Sequence, residues 1–235
     1  SCSNYIFYLH ISITTFSIFM KKLFLVLLLL STQAFAKDST SDFQAWVPIN
    51  INVKLTDDIR GFLEIQPRIG HDLTSLDTGI VRPALGWKLA DNWTIWGGYA
   101  MQSQRNSTTN EYEIENRSWE GITYRTKGTS GNFELRNRVE QRFLPHNHDI
   151  SHRWRLRARA EYLFSSKSTW SLISSSEVFV NLNDNDVNQN LQSGMNQVRS
   201  YLGVGYRFNP EAQIESGYLH QYAFNSSPTT LDQDN

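Results

Sequence analysis

Two neighbouring segments decide the fold: FELRNRVEQRF at residues 133–143 and RWRLRARAEYLF at residues 153–164. Charged residues occupy every second position of the first segment from Glu134, and of the second segment from Arg153 to Glu161. Between the charges of the second segment lie only tryptophan, leucine and alanine. This period of two predicts β-strands, because successive side chains of a strand point to opposite faces. A helix would spread the same arginines around its whole circumference.

The same alternation runs along almost the whole chain and predicts ten strands without an intervening helix. The expected strands are 43–55, 59–69, 81–89, 93–104, 114–127, 133–143, 153–164, 170–182, 197–208 and 212–222. Glu115, Arg117 and Glu120 interrupt the pattern of the fifth strand, so a β-bulge is expected there. Short connections are expected at 56–58, 90–92, 128–131, 165–169 and 209–211, and long polar ones at 70–79, 103–113, 144–152 and 183–196. The sequence therefore predicts an all-β, up-and-down antiparallel β-barrel.

Strands with one charged and one apolar face must place the two faces in different environments. Water-soluble barrels turn the apolar face inward, whereas outer-membrane barrels turn it to lipid and the polar face to the lumen. Aromatic residues gather near the short connections (Trp87, Trp93, Tyr124, Phe133, Tyr162, Phe164, Trp170, Tyr206, Phe208) and near the long ones (including Phe43, Phe143, Trp154, Tyr201, Tyr222). Two such belts are typical of a transmembrane β-barrel. A soluble periplasmic ligand-binding barrel stays open as an alternative.

The N-terminal residues predict export. From Met20 a basic start is followed by a short apolar core and Ala34-Phe35-Ala36, the pattern of a signal peptide cleaved after Ala36. Residues 1–19 are interpreted as an upstream extension, and 37–235 as a single barrel domain. Cleavage leaves 20 Lys and Arg against 23 Asp and Glu, and removes Cys2, the one cysteine. This composition excludes disulfides and gives no electrostatic footprint for nucleic acid.

Two features of the ends remain open at this point. The chain stops at LDQDN, inside what would be another long loop, which suggests that one hairpin is missing and that the complete barrel has twelve strands. If 43–55 is the first strand, both termini lie on the side of the long loops. Bacterial barrels usually keep their termini with the short turns. The side faced by the long loops is therefore undecided.

Several stretches, in order, resemble the bacterial family called domain of unknown function 2490 (DUF2490), uncharacterised outer-membrane β-barrel proteins. They are FQAW at 43–46, EIQPR at 64–68, RPALGW at 82–87, RNRVEQRF at 136–143, WRLRARAEY at 154–162, SEVFVNL at 176–182, NQVRSYLGVGYRF at 196–208 and ESGYLHQY at 215–222. The resemblance implies the fold and an outer-membrane location, and it implies no activity.

The polar faces of the predicted strands are rich in arginine. The residues expected to line the lumen are Arg60, Glu64, Arg68, Arg82, Glu134, Arg136, Arg138, Glu140, Arg142, Arg153, Arg155, Arg157, Arg159, Glu161, Glu177, Arg199, Arg207 and Glu215. One interpretation is a salt-bridged network that fills a narrow barrel. The other is a wet cationic lumen that attracts small anions, since the acids are too few to pair with every base.

Signals for catalysis, cofactors and metals are weak, so the protein is expected to be a non-enzyme without cofactor or metal. His146, His148 and His152 with Asp149 are interpreted as loop residues, and Asp184 with Asp186 lacks the other ligands of a calcium loop. His220 with Ser216 or Ser226 leaves a lipid-modifying enzyme as the alternative function. The expected role is a structural or passive-transport component of a Gram-negative outer membrane. Its expected partners are membrane lipid, lipopolysaccharide and, during insertion, the barrel-assembly machinery.

Overall fold

The computed structural model describes residues 3–8, 41–70, 72–106, 109–145, 149–165, 168–184 and 192–224. These residues form twelve strands: β1 (Ser3–Tyr8), β2 (Ser41–Trp46), β3 (Ile49–Lys54), β4 (Ile59–Gly70), β5 (Ser75–Ala90), β6 (Trp93–Arg105), β7 (Tyr112–Gly128), β8 (Gly131–Phe143), β9 (Ile150–Leu163), β10 (Trp170–Asn181), β11 (Gly194–Asn209) and β12 (Ala212–Ala223). No helix in this described part of the chain is long and apolar enough to cross a membrane.

All twelve strands belong to one sheet in which each strand from β4 to β12 pairs with the next, antiparallel. The prediction of an all-β, up-and-down antiparallel fold is therefore confirmed. The first predicted strand is present, but Val47 and Pro48 divide it into β2 and β3. Both halves pair with β4, so the two short strands together occupy the place of one strand beside β4. Proline has no N–H to donate, which suits this position at a break.

The sheet returns on itself through a narrow seam. Strand β1 pairs antiparallel with β12 through Ile6 and Phe7, and parallel with β2 along six residues. Strand β2 in turn pairs with β4 through Ala45 and Trp46. The pairings thus close a ring around an interior, and β1 is the segment that joins its two ends. The predicted signal peptide at 20–36 lies outside the described residues, and its cleavage stays a prediction. This cleavage would also remove β1, so β2 and β12 would then face each other at the seam of the mature chain.

Side-chain exposure separates the two faces of the wall. On β5, Arg82 is 5% exposed, whereas Val81 and Leu85 on the opposite face are 39% and 61% exposed. The same inversion appears across the sheet, where buried charged residues alternate with exposed apolar ones. The wall is therefore apolar outside and polar inside.

Some predicted details are wrong. The connection expected at 70–79 is much shorter, because β5 begins at Ser75 and pairs from there with the end of β4. Strand β7 pairs with both neighbours without a register shift, so it has no bulge. Glu115 and Arg117 share the inner face, while Glu120 lies on the outer face and accepts a hydrogen bond from Gln141 Nε2 at 3.0 Å. The alternation of inward and outward residues is therefore continuous along β7. Only the carboxylate of Glu120, on the apolar outer face, departs from the charge pattern.

Tyr201 does not belong to an outer aromatic belt. It is buried inside the barrel with Trp46, Ile173 and Leu219, which together form an apolar cluster beside the seam. Its Oη would lie 2.2 Å from a Cβ at Gly203, so the ring lies over that glycine. The interior beside the seam is consequently packed with apolar side chains.

Candidate functional site

The interior contains a cavity of about 600 Å³ that is lined by inward side chains from β2 to β12. Asp77 and Gln104 line it near the end with the long loops, and Asn52 and Arg125 line it near the end with the short turns. The cavity therefore follows the length of the barrel. Among the described residues, thirteen arginines line it against four acidic residues, so its wall is strongly cationic.

The structure brings most of the predicted lumen residues to this cavity. Those that line it are Glu64, Arg68, Arg82, Glu134, Arg136, Arg138, Arg142, Arg153, Arg155, Arg157, Arg159, Glu177 and Arg199. Glu140 is buried behind the lining, where it pairs with Arg153 and Arg155. Arg60, Glu161, Arg207 and Glu215 lie outside the lining.

The last three of these residues belong to a buried cluster near the short turns. Arg207 donates from Nη2 to Glu161 Oε1 at 3.1 Å, and Asn132 Nδ2 donates to Glu161 Oε2 at 2.5 Å. Glu215 is buried and pairs with Arg159, which reaches it from β9 across two intervening strands. Because this cluster spans β9 to β12, it fills that sector of the lumen, and the cavity passes beside it.

A continuous ion-pair network follows β8, β9 and β10 along the cavity wall. Glu140 Oε2 accepts from Arg153 Nη2 at 2.7 Å, and its Oε1 accepts from Arg155 Nη1 at 2.5 Å. Arg155 Nη2 also donates to Glu177 Oε1 at 2.9 Å, and Arg136 Nη2 donates to the same oxygen at 2.9 Å. These carboxylates each hold two arginines in charge-assisted hydrogen bonds. Sharing of this kind lets few acids pair with many bases.

The fifth predicted strand adds residues that the sequence reasoning missed. Glu115 on β7 accepts two hydrogen bonds from Arg117, at 2.7 and 2.8 Å, and two from Arg142, at 2.6 and 3.1 Å. At the other end of the strand, Arg125 Nε donates to Glu134 Oε2 at 2.7 Å, and Arg157 holds the other oxygen of Glu134. Glu115, Arg117 and Arg125 lie an even number of residues apart on β7, and this period of two could have identified them as inward residues from the sequence.

Aromatic rings inside the lumen provide a second set of partners for the arginines. The guanidinium carbon of Arg138 lies 3.8 Å from the ring centre of Trp119, and that of Arg155 lies 4.6 Å from Phe179. Arg199 contacts Phe179 at 4.6 Å and also faces Trp46 at 4.9 Å. Cation–π contacts of this kind stabilise a guanidinium group without neutralising it. The ring contacts of Arg199 therefore leave its positive charge in the lumen, whereas the charge of Arg155 is balanced by Glu140 and Glu177.

Three cavity-lining arginines lack an acidic partner in the described part of the chain: Arg105, which donates from Nη2 to Asn110 Oδ1 at 2.7 Å at the end of β6, and Arg68 and Arg199. Arg68 donates from Nη2 to Gln66 Oε1 at 3.3 Å, and Arg199 donates from Nε to Gln221 Oε1 at 3.0 Å. Among the described residues, none of these three arginines forms an ion pair with a carboxylate. The excess of positive charge is thus concentrated at particular places and not spread evenly over the wall.

The residues considered for metal binding and catalysis are only partly described. His146 and His148, with Asp186 and Ser226, lie outside the described residues. No group of three or more potential metal ligands occurs in the part that is described. Asp184 accepts a hydrogen bond from the backbone N–H of Ser193 at 2.6 Å, and this bond lowers the pKa of its carboxyl. It therefore helps to hold its own loop.

The structure does not bring together the serine and histidine considered for lipid hydrolysis. Ser216 and His220 lie four residues apart on β12, so their side chains cannot share a hydrogen bond. Directly opposite His220 is Ser200 on β11, on the outer face of the wall. No hydrogen bond joins these two described side chains. A serine–histidine pair needs such a bond to activate its nucleophile.

Comparison with known proteins agrees with the sequence resemblance. A protein of Methylorubrum extorquens, itself uncharacterised, is 32% identical over 202 residues, which cover 84% of this chain and 86% of that protein. A solved structure of the NanC porin aligns with 11% identity and a TM-score of 0.47, covering 78% of this chain and 96% of that chain. The family described as "Protein of unknown function (DUF2490)" matches residues 43–232. The chain therefore belongs to the DUF2490 family, as its motifs predicted.

Proposed function

We propose that this protein is a β-barrel of the Gram-negative outer membrane, exported through a cleaved signal peptide, whose arginine-rich lumen admits small anions. Its role is that of a structural or passive-transport component. The observation that carries the proposal is the inverted wall, with charged side chains buried inside and apolar ones exposed outside. In water this arrangement would expose a large apolar surface, whereas in lipid it places each face in its preferred environment.

The exposed aromatic residues support the position of the barrel in a bilayer. Near the short turns, Trp87, Trp93, Trp170 and Phe208 are all exposed, and Trp170 packs against Tyr206 with ring centres 4.9 Å apart. At the other end the exposed residues include Tyr112, Phe143 and Tyr222. Rings with one apolar and one polar side accumulate at the interface between lipid and water. Lipid and lipopolysaccharide are accordingly the proposed partners of the outer wall, and the barrel-assembly machinery the proposed partner during insertion.

The composition of the lumen supports selectivity for anions. Salt bridges fill part of the interior, as one interpretation of the sequence expected, but the cavity still has many more arginines than acids along its wall. A low-dielectric wall focuses the field of these charges into the aqueous space, which raises the local concentration of anions and excludes cations.

Two measurements test the proposal. In the first, the folded full chain should fractionate with outer membranes and migrate faster on a gel before heating than after. Recovery in the soluble fraction would refute the membrane location. In the second, the protein is placed in a planar bilayer under a potassium chloride gradient. The reversal potential should be shifted towards the equilibrium potential of chloride. Cation selectivity, or no conductance, would refute the cationic-lumen part.

A matched pair of variants sharpens the second measurement. Arg138 lines the cavity over the ring of Trp119. Its Nη1 lies 3.5 Å from Glu140 Oε1, a carboxylate that two other arginines hold more closely. The R138Q variant should therefore reduce chloride selectivity. Glu120 lies on the outer face, so E120Q should leave the selectivity unchanged. Equal effects of the two variants would show that the lumen charges do not set the selectivity.

A further inference from the structure

We propose that Arg68 and Arg199, with Trp46, form a binding site for the oxyanion group of a small solute, either a carboxylate or a phosphoryl group. The proposal rests on the cationic lumen described above and assigns its recognition site to particular residues. Both arginines line the cavity, and both contact the ring of Trp46. The first evidence is their closeness to one ring.

Trp46 brings the two guanidinium groups together. The guanidinium carbon of Arg68 lies 3.7 Å from the ring centre of Trp46, and that of Arg199 lies 4.9 Å from the same centre. Their separation therefore cannot exceed the sum of these two distances. Trp46 is itself buried within the apolar cluster beside the seam, so the ring is held in place. Two positive charges are consequently held on one side of the lumen.

Among the described side chains, no carboxylate forms an ion pair with Arg68 or Arg199. Glu177 is the cross-strand neighbour of Arg199, but its Oε1 already accepts from Arg136 and Arg155. The carboxylate of Glu64 is bound by Arg82 at 2.5 Å. In addition, Arg68 Nε is buried without a hydrogen-bond partner. Like charges held together in a partly dehydrated space repel one another, and an anion bound between them would remove that repulsion.

The neighbouring side chains increase the preference for an anion. Gln66 and Gln197 accept from the arginines through Oε1, at 3.3 and 3.4 Å, and Gln221 does the same at 3.0 Å. With these oxygens occupied, the amide NH₂ groups are the parts that remain for a ligand. All three glutamines line the cavity. The site therefore offers N–H donors, which match the acceptor oxygens of a carboxylate or phosphate.

The space is suitable for a small polar solute. A cavity of about 600 Å³ lies within the range of small-molecule sites. The other lining arginines near this pair, such as Arg117 and Arg142, are occupied by Glu115. We therefore expect one preferred oxyanion site near the long-loop end of the lumen, and weaker general attraction elsewhere.

The test measures binding to the folded full chain in detergent micelles by isothermal titration calorimetry. Sodium phosphate and sodium acetate are titrated separately, at an ionic strength kept constant with sodium chloride. The R68Q and R199Q variants should each weaken binding about tenfold or more, because each removes a charge-assisted hydrogen-bond donor. The control is R125Q, which removes an equal charge near the short turns, where Arg125 is paired with Glu134. It should weaken binding less than threefold.

The outcomes separate this site from the proposed function. Binding of both anions supports a general oxyanion site, and binding of phosphate or acetate alone assigns the site to that one group. Equal weakening by R125Q and R68Q would overturn the proposal, because it would show only the general field of the lumen. Anion selectivity in bilayers without measurable binding would overturn the site and leave the proposed function intact. Heat-modifiable migration confirms that each variant folds, and either arginine variant is sufficient for the test.

Discussion

Replacing Val81 by arginine tests whether the outer wall lies in lipid. Val81 is 39% exposed, and its neighbours across both pairings, Ile65 and Met101, are 40% and 43% exposed. It lies six residues above Trp87 on the same face of β5. At a rise of about 3.4 Å per residue and a tilt of about 40°, this places it roughly 15 Å from the aromatic belt. The apolar band of such a barrel is about 25 Å tall, so Val81 lies near its middle.

An arginine at that depth should destabilise the folded barrel by about 2–4 kcal/mol, or roughly 30- to 900-fold in the folding equilibrium. The same change on a surface in water costs at most about 0.5 kcal/mol. The control is L89R, on the same face two residues beyond Trp87, where the expected cost is at most about 1 kcal/mol. Urea unfolding in phospholipid vesicles measures both variants. If V81R is no less stable than L89R, the outer wall is not in lipid and the reasoning fails.

Three further changes probe the inside and outside of the wall. E140Q removes a carboxylate shared by buried arginines and should lower the free energy of unfolding, measured in urea, by about 3–5 kcal/mol. R125Q breaks a pair whose arginine is half exposed and should lower it by at most about 1 kcal/mol. Similar losses in the two variants would contradict the network. G98A should cost about 1–3 kcal/mol, because its Cβ would lie 2.5 Å from the ring of Trp119. G97A, whose Cβ meets nothing within 4 Å, is its control, and equal melting temperatures would be evidence against the packing. E120L should raise the midpoint of urea unfolding in vesicles, because a carboxylate leaves the apolar face, and a lower midpoint would oppose a lipid contact.

The strands were predictable because their signal is local. The charges of β8 and β9 recur every second residue, and this period follows from backbone geometry without knowledge of any partner. The same rule also holds for β7, where Trp119 and Gly121 occupy the inward positions that continue the row of Glu115 and Arg117. Tyr201 was misplaced, because an aromatic residue near a strand end suits a belt as well as a packed interior.

The amino-acid sequence by itself determined the class of fold, the position of nearly every strand and the face on which the predicted lumen arginines lie. Only the tertiary structure decided which charges meet, because the stagger and closure of the sheet bring together residues that are distant in the chain. Arg159 pairs with Glu215, 56 residues away, and Arg199 faces Trp46 across the seam. The number of acids and bases could be counted from the sequence, but which arginines lack an acid could not. That depends on how each carboxylate is shared among its neighbours in space.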